Sequence, residues 1–379
     1  MKIAIIFKPY WPIQVPNLGG MSNFVYFLSK GLVGQGHDVT VFCSKNSTLP
    51  PKVKTDKNKI VEEKIDVYRA YNNFYHQVDK EAKSLKDAVN LSFGELSQRF
   101  DYKIENYLQA FSKIYSDKFD LVHVVTHDIL ALYPALFSPV PSVISFHGHY
   151  QMLGPDFVRW LKFLSSVKPK HNSTFVSVSK YIKREYGQFV NSSLIYNSID
   201  ITPYKLNLAK QDYIVYLGRI ESKKGVDFAI NFSKKYKIPL VIAGNIVDRH
   251  YFNHHLKKDI DGQLIRYIGP VNEPQKNEVL GKAKCMFMPS SYKEAFGRVV
   301  IESLACGTPV IALRNGALRE LVINNKTGFL IRRDLKQAKQ AFDKIDKIDP
   351  HYCRKFVERD FNLPRMIKQY EDLYKKIKK

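Results

Sequence analysis

Glu294 and Glu302 stand eight positions apart in EAFGRVVIESLACGTPVIA, residues 294–312, in a chain that carries 59 Lys and Arg against 36 Asp and Glu. Carboxylates do not bind phosphate, but they accept hydrogen bonds from hydroxyls. The residues between and after them read as a helix over Arg298–Ala305, with a turn at Gly297 before it and Gly307 as its C-terminal stop. A helix that starts after a parallel strand presents free N–H groups and its positive dipole end to a diphosphate. With an acid on each side, such a place matches ribose hydroxyls, a diphosphate and sugar hydroxyls in a row, which is the layout of a nucleotide sugar.

Other stretches carry residues of the same kind. YLGRIESKKG places Gly218, Arg219 and Lys224 after an apolar run, and VPNLGGMSNF places Gly19 and Gly20 between an apolar run and a helical pattern. Glycines let a backbone approach a phosphate or sugar without interference from a Cβ, although a Gly pair also serves a plain turn and a Lys-rich loop also serves a solvated surface. SFHGHY puts His147 at a strand end with His149 after it, where an imidazole can face a ligand or simply hold structure. Ser179 in SVSKYIKREY and Asn197 in IYNSID are weaker candidates.

The elements that position these residues follow from hydrophobic patterning. Short β-rich runs alternate with longer amphipathic segments, the pattern of a parallel sheet covered by helices. One series is Ile3–Phe7, Val39–Cys43, Leu121–Val125, Ser142–Phe146 and Phe175–Val178, with a helix over Ser22–Val33. A second is Tyr213–Leu217, Leu240–Ala243, Leu264–Ile268, Cys285–Pro289 and Val310–Leu313. The series restarts after Asn197–Asp212, so the domain junction is placed there. The 379 residues exceed what one core serves well,, and the expected division is 1–200, 201–355 and a C-terminal helix over 356–379 that packs back toward the first domain. Lys-rich Lys52–Lys64 reads as an exposed loop.

The net charge of +23 implies anionic company,. Cys43, Cys285, Cys306 and Cys353 show no CxxC spacing, which suits a reducing compartment. No apolar stretch approaches the roughly 20 residues of a spanning helix, and the first residues lack signal-peptide features. The expected location is cytoplasmic, and a peripheral position on the inner face of the membrane is compatible with the charge. Phe157, Trp160, Leu161 and Leu164 form an i, i+3, i+4, i+7 stripe with Arg159, Lys162 and Lys168 around it, which suits either a buried helix or an anionic lipid surface. The stripe Met366, Tyr370, Leu373 and Ile377 reads as a packed terminal helix, with a membrane surface as its second reading.

EAFGRVVIESLACGTPVIA, followed by GALRELVINNKTGFLI, resembles the donor-site signature of family-4 retaining glycosyltransferases of the "glycosyl transferases group 1" type. The resemblance covers most of Met1–Cys43 and nearly all of Leu121–Ile331. It implies an α/β chain of GT-B architecture, with two Rossmann-like domains facing each other across a cleft. It also implies that Glu294 contacts the transferred sugar, Glu302 the ribose, and Phe296, Gly297, Arg298 and Val299 the donor, largely through backbone. Arg219 and Lys224 would lie against the diphosphate, where fixed cations stabilise charge that grows as the glycosidic bond breaks. Gly19, Gly20, Gly218 and Asn197 would complete the donor site, His147 would face the donor sugar, and His149 and Ser179 would lie on the acceptor side.

The reaction so implied is sugar transfer, hexosyl favoured, with retention from a nucleoside-diphosphate sugar, UDP-sugar favoured, to an unidentified hydroxyl acceptor, for which a membrane-associated molecule is compatible. No cofactor and no metal are expected. Asp259-Ile260-Asp261 has the Asp-x-Asp spacing of a metal-binding pair, yet it sits where acids commonly serve a turn. Rival readings are a nucleotide-sugar epimerase or phosphorylase on the same fold and a basic non-catalytic nucleotide-binding protein. A nicotinamide dehydrogenase is disfavoured because neither glycine turn is GxGxxG, and nucleic acid is not an expected partner because no RNA-binding signature accompanies the dispersed charge.

Overall fold

The structure is a computed structural model of the chain. It describes residues 1–9, 12–13, 20–44, 47–50, 54–58 (backbone alone), 104–166 and 172–378. Seven strands form one sheet in the spatial order Lys54–Asn58 (β3), Asp38–Ser44 (β2), Lys2–Ile6 (β1), Leu121–Val124 (β4), Ser142–Phe146 (β5), Ser173–Ser177 (β6) and Ser192–Leu194 (β7). Six form a second, in the order Ile265–Tyr267 (β10), Leu240–Ala243 (β9), Gln211–Leu217 (β8), Ala283–Met288 (β11), Val310–Leu313 (β12) and Gly328–Ile331 (β13). The strand pairs are parallel, with Ile3 facing Leu121 in the first sheet and Ile214 facing Leu240 in the second. Central strands such as β4 and β9 are buried throughout, because helices cover both faces of such sheets and leave no polar side to the strand.

In each sheet the order reverses beside the first strand, at β1/β4 and at β8/β11. Ligands of doubly wound sheets bind outside the carboxyl ends of the strands at such a reversal. The two reversals supply Phe7 and Lys8 from one sheet, and Leu217, Gly218 and Arg219 from the other, to a single cleft.

The Lys-rich segment departs from expectation. Lys54–Asn58, KTDKN, is an edge strand whose Lys54 pairs with Thr40 and whose Asn58 pairs with Ser44. Main-chain pairing at a sheet edge needs no apolar side chain, and lysines are common there because they discourage further pairing. The same reasoning explains why the short edge strand β7, Ser-Ser-Leu, escaped the hydrophobic pattern, whereas β13, Gly-Phe-Leu-Ile, is apolar and only short.

The stripe Phe157, Trp160, Leu161 and Leu164 lies on the helix Pro155–Ser166 and is fully or almost fully buried in the core of the first sheet. That burial, worth about 2 kcal/mol per large side chain, is core packing and leaves this stripe no face for a lipid surface. The closing helix, Leu363–Ile377, begins at an Asn362 cap and buries Met366, Ile367, Tyr370 and Tyr374 against the first sheet and the helix Gly20–Gly34. Glu371 on the same helix lies 3.3 Å from His37.

Candidate functional site

The stretch read first folds as expected. The helix Arg298–Ala305 follows Gly297, whose φ of 100° is in the left-handed region, and Gly307 at φ 72° ends it. Any other residue at these two turns would be strained. No side chain caps the amino terminus of this helix, so its first N–H groups remain available to an anion.

Glu294, buried in the loop before this helix, accepts hydrogen bonds from Lys224 Nζ at 2.6 Å and Ser290 Oγ at 2.8 Å. Its carbonyl oxygen accepts from the Ala317 N–H at 2.9 Å, which ties the loop to the turn after β12. Lys224 stands in the turn after β8 with its ammonium 4.6 Å from the centre of the Tyr292 ring. Glu302 is 2% exposed and lies 3.4 Å from Lys276 and 3.5 Å from Arg298. Burial works to raise its carboxyl pKa, and the two cations outweigh burial and hold it below the ordinary value,. Arg219, half-exposed, lies 2.9 Å from Glu221.

These residues line one cleft of about 540 Å³ between the two sheets. The second half brings Gly218, Arg219, Lys224 and Glu294 to it, with Phe296, Gly297, Arg298, Val299 and Glu302 behind. The first half brings Gly20 and His147, and the junction brings Asn197. Asn197 Oδ1 is buried and has no protein partner among the described residues, so a ligand hydroxyl is the natural donor to it. Gly19 lies outside the described residues.

His147 follows β5 directly. Burial pushes its pKa down to about 3, and His123 and His127 are held well below the usual histidine range, first by burial and then by His147. All three rings are therefore neutral near pH 7. His147 Nε2 is 2.9 Å from Ser145 Oγ, and its backbone N–H donates to His127 Nε2 at 3.0 Å.

Two residues expected on the acceptor side, His149 and Ser179, do not line this cleft. His149 is fully buried, stacked on Tyr150 and Tyr181, with Nε2 3.1 Å from Glu185. Ser179 caps the helix Lys180–Tyr186 by accepting from the Ile182 N–H, and it donates to the Ala295 carbonyl at 2.7 Å. That second bond joins the two halves beside Glu294, so Ser179 supports the site from behind.

Some cleft residues carry no signal in the sequence. Lys276 sits in EPQKNEVL, an ordinary polar helix start with an Asn272 capping box. Lys8 could have been suspected, as a cation just past the end of the first strand. Asp259 pairs with Lys234, and Asp261 accepts from the Gln263 and Ile265 N–H groups at 2.9 Å each, so both acids are occupied as turn residues. Among the described residues no helix is long and apolar enough to cross a membrane.

Comparison with known proteins agrees with this geometry. The family description "Glycosyl transferases group 1" matches residues 199–359, and "Glycosyltransferase Family 4" matches residues 18–202. A glycogen synthase of Mycobacterium tuberculosis is 24% identical over 354 residues, covering 86% of this chain and 81% of that protein. A phosphatidyl-myo-inositol mannosyltransferase of Propionibacterium freudenreichii is 24% identical over 335 residues, 83% of this chain and 78% of that one. In fold, the chain is similar to the sucrose-phosphate synthase of Thermosynechococcus elongatus, with a TM-score of 0.74 at 19% identity over 99% and 98% of the two chains. It is also similar to Anabaena HepE solved with UDP and glucose, with a TM-score of 0.71 at 14% identity over 99% and 100%. The two family matches together with the GT-B arrangement of the sheets establish that this chain belongs to the group 1, family-4 glycosyltransferases.

Proposed function

We propose that this enzyme transfers a hexosyl group from a nucleoside-diphosphate sugar, with UDP-sugar favoured, to a hydroxyl acceptor with retention of configuration and without a metal ion. The observation that carries the reading is one cleft in which Lys224, Glu294, the uncapped helix start at Arg298 and the ionised Glu302 meet His147 and Asn197. Cations and helix N–H groups suit the diphosphate, and the two acids suit hydroxyls on either side. A UDP-sugar is favoured because Anabaena HepE, similar in fold, was solved with UDP-glucose.

In this reading the bond from the anomeric carbon to the diphosphate oxygen breaks, and the acceptor oxygen bonds to the same face. The acceptor proton passes to a phosphate oxygen of the leaving group, so no protein nucleophile is needed. Lys224, Arg219 and the helix start stabilise the departing charge that a metal would otherwise stabilise. The acceptor enters from the first domain. A cytoplasmic setting or the inner face of a membrane fits the net charge of +23.

The test is thermal stabilisation by UDP-, GDP- and ADP-sugars and by NAD, with EDTA present, for the wild type and Glu302→Ala. A ligand bound only to the folded state adds RT ln(1 + [L]/Kd) of stability. One nucleotide family should raise the Tm of the wild type and not of the variant. A shift with NAD alone, or none at millimolar donor, would overturn the donor reading. Donor isomerised with no acceptor present would favour an epimerase instead.

A further inference from the structure

Behind His147 runs a buried chain of hydrogen bonds that ends on the closing helix. Tyr374 Oη is 2.6 Å from His123 Nδ1, His123 Nε2 is 3.0 Å from Ser145 Oγ, and Ser145 Oγ is 2.9 Å from His147 Nε2. Tyr374, His123 and Ser145 are all 0% exposed, so bulk solvent does not reach them. Among the described residues the Tyr374 hydroxyl has no partner besides His123, and Ser145 Oγ none besides the two imidazoles. His147 Nδ1 has no protein partner among them, and it belongs to a ring that lines the cleft.

The hydrogens in this chain can be counted. A neutral imidazole has one N–H and one acceptor nitrogen, and each hydroxyl has one hydrogen to donate. If Tyr374 donates to His123 Nδ1, then His123 donates from Nε2 to Ser145, Ser145 donates to His147 Nε2, and every buried hydrogen has an acceptor. If His147 instead carried its hydrogen on Nε2, Ser145 would have to turn toward His123 or be left without an acceptor. Turning it toward His123 places the His123 hydrogen on Nδ1, and the Tyr374 hydroxyl hydrogen is then stranded in a dry core. Each alternative leaves one buried donor unpaired, a penalty equivalent to roughly tenfold or more in population.

We infer that Tyr374, acting through His123 and Ser145, is a positioning residue that fixes His147 as its Nδ1–H form, so that His147 meets the cleft as a hydrogen-bond donor to a substrate oxygen. Phe24, whose ring centroid is 4.4 Å from that of His147, holds the imidazole plane. The closing helix thus reaches the site through hydrogen bonds while lining none of the cleft. The assignment of the hydrogen stands on the hydrogen-bond geometry and on the neutrality that burial imposes on both imidazoles; only its consequence for sugar transfer rests on the donor reading above.

The experiment is long-range 1H–15N correlation NMR of the ligand-free, full-length protein with 15N-labelled histidine, the His147 signal being identified by its loss in His147→Gln. The wild type should show His147 protonated at Nδ1 and His123 at Nε2. Tyr374→Phe removes the terminal donor and should turn the His147 signals toward a mixture. Ser145→Ala, which breaks the chain in the middle, should do the same and serves if Tyr374→Phe does not fold. Tyr370→Phe is the control, since Tyr370 lies one turn away with a buried hydroxyl that has no partner among the described residues, and it should leave His147 unchanged. In transfer assays Tyr374→Phe should lower kcat/KM for the donor about tenfold, the value of one lost oriented hydrogen bond, with Tyr370→Phe near wild type. An Nε2–H or mixed His147 in the wild type, or His147 signals unmoved in both chain-breaking variants, would overturn the inference. Correct NMR signals with no change in transfer would reject the donor-site consequence and leave the hydrogen assignment standing.

Discussion

The Lys224 ammonium stands 2.6 Å from Oε1 of Glu294, and both side chains are largely buried. The cation suited to a diphosphate and the acid suited to a sugar hydroxyl therefore hold each other. In the proposed reading, a diphosphate at Lys224 would compete with Glu294 for the same ammonium. Glu294→Gln should lower kcat/KM roughly 100-fold, as loss of one oriented charged group in a reacting site does. Lys224→Ala should cost about as much, and the double variant much less than the product of the two. Multiplicative losses would show that the two residues act independently.

Glu302 predicts a pH dependence of stability. Its folded pKa lies below the unfolded value near 4.5, so its contribution is complete above that pH and is lost as pH falls through the lower folded value. The difference in unfolding free energy between wild type and Glu302→Gln, followed in urea from pH 7 to pH 3, should shrink once the pH passes below about 4.5. A difference constant over that range would contradict the assignment. Lys276→Met, which leaves the buried carboxylate with Arg298 alone, should cost on the order of 2 kcal/mol at pH 7.

Gly225 places Lys224. Its φ is 74°, and a Cβ there would collide with the Pro289 carbonyl oxygen. Gly225→Ala should therefore destabilise the protein by about 2 kcal/mol or more, and it should weaken donor binding by shifting the Lys224 turn. Calorimetric Tm and donor titration would measure the two effects, and a variant with wild-type values in both would show that the turn has room to spare.

Glu320 joins the halves. Its carboxylate accepts from the Lys180 N–H at 2.9 Å, the Tyr181 N–H at 2.6 Å and the Tyr196 hydroxyl at 2.9 Å, across more than 120 positions of sequence. It thus caps a first-domain helix from the second domain, next to the Ser179–Ala295 bond. Glu320→Ala should cost about 2 kcal/mol by leaving these donors unpaired, and Glu320→Gln should recover part of that. Equal urea midpoints for wild type and Glu320→Ala would remove the cap from the account.

Much of the site was legible because its chemistry lies in short contiguous runs beside glycines. Glu294, Gly297 and Glu302 share one loop and helix, and Arg219 and Lys224 share one turn. Local periodicity set the helix between the two acids, and the turn residues set its ends. The central strands were legible for the same reason: burial on both faces makes them continuous apolar runs. The polar edge strand Lys54–Asn58 was not, since its pairing is a matter of main chain alone.

What the sequence determined by itself was the fold class, the family and the main residues that meet in the cleft, all of which are written in residues a few positions apart. Tertiary structure alone decided that Lys276 faces Glu302, that Ser179 and Glu320 tie the halves together, and that His149 is core. It also decided that Tyr374 meets His123 across 251 positions. Such contacts depend on which faces of distant elements pack together, and neither a helical nor a strand period carries information about a partner on another element.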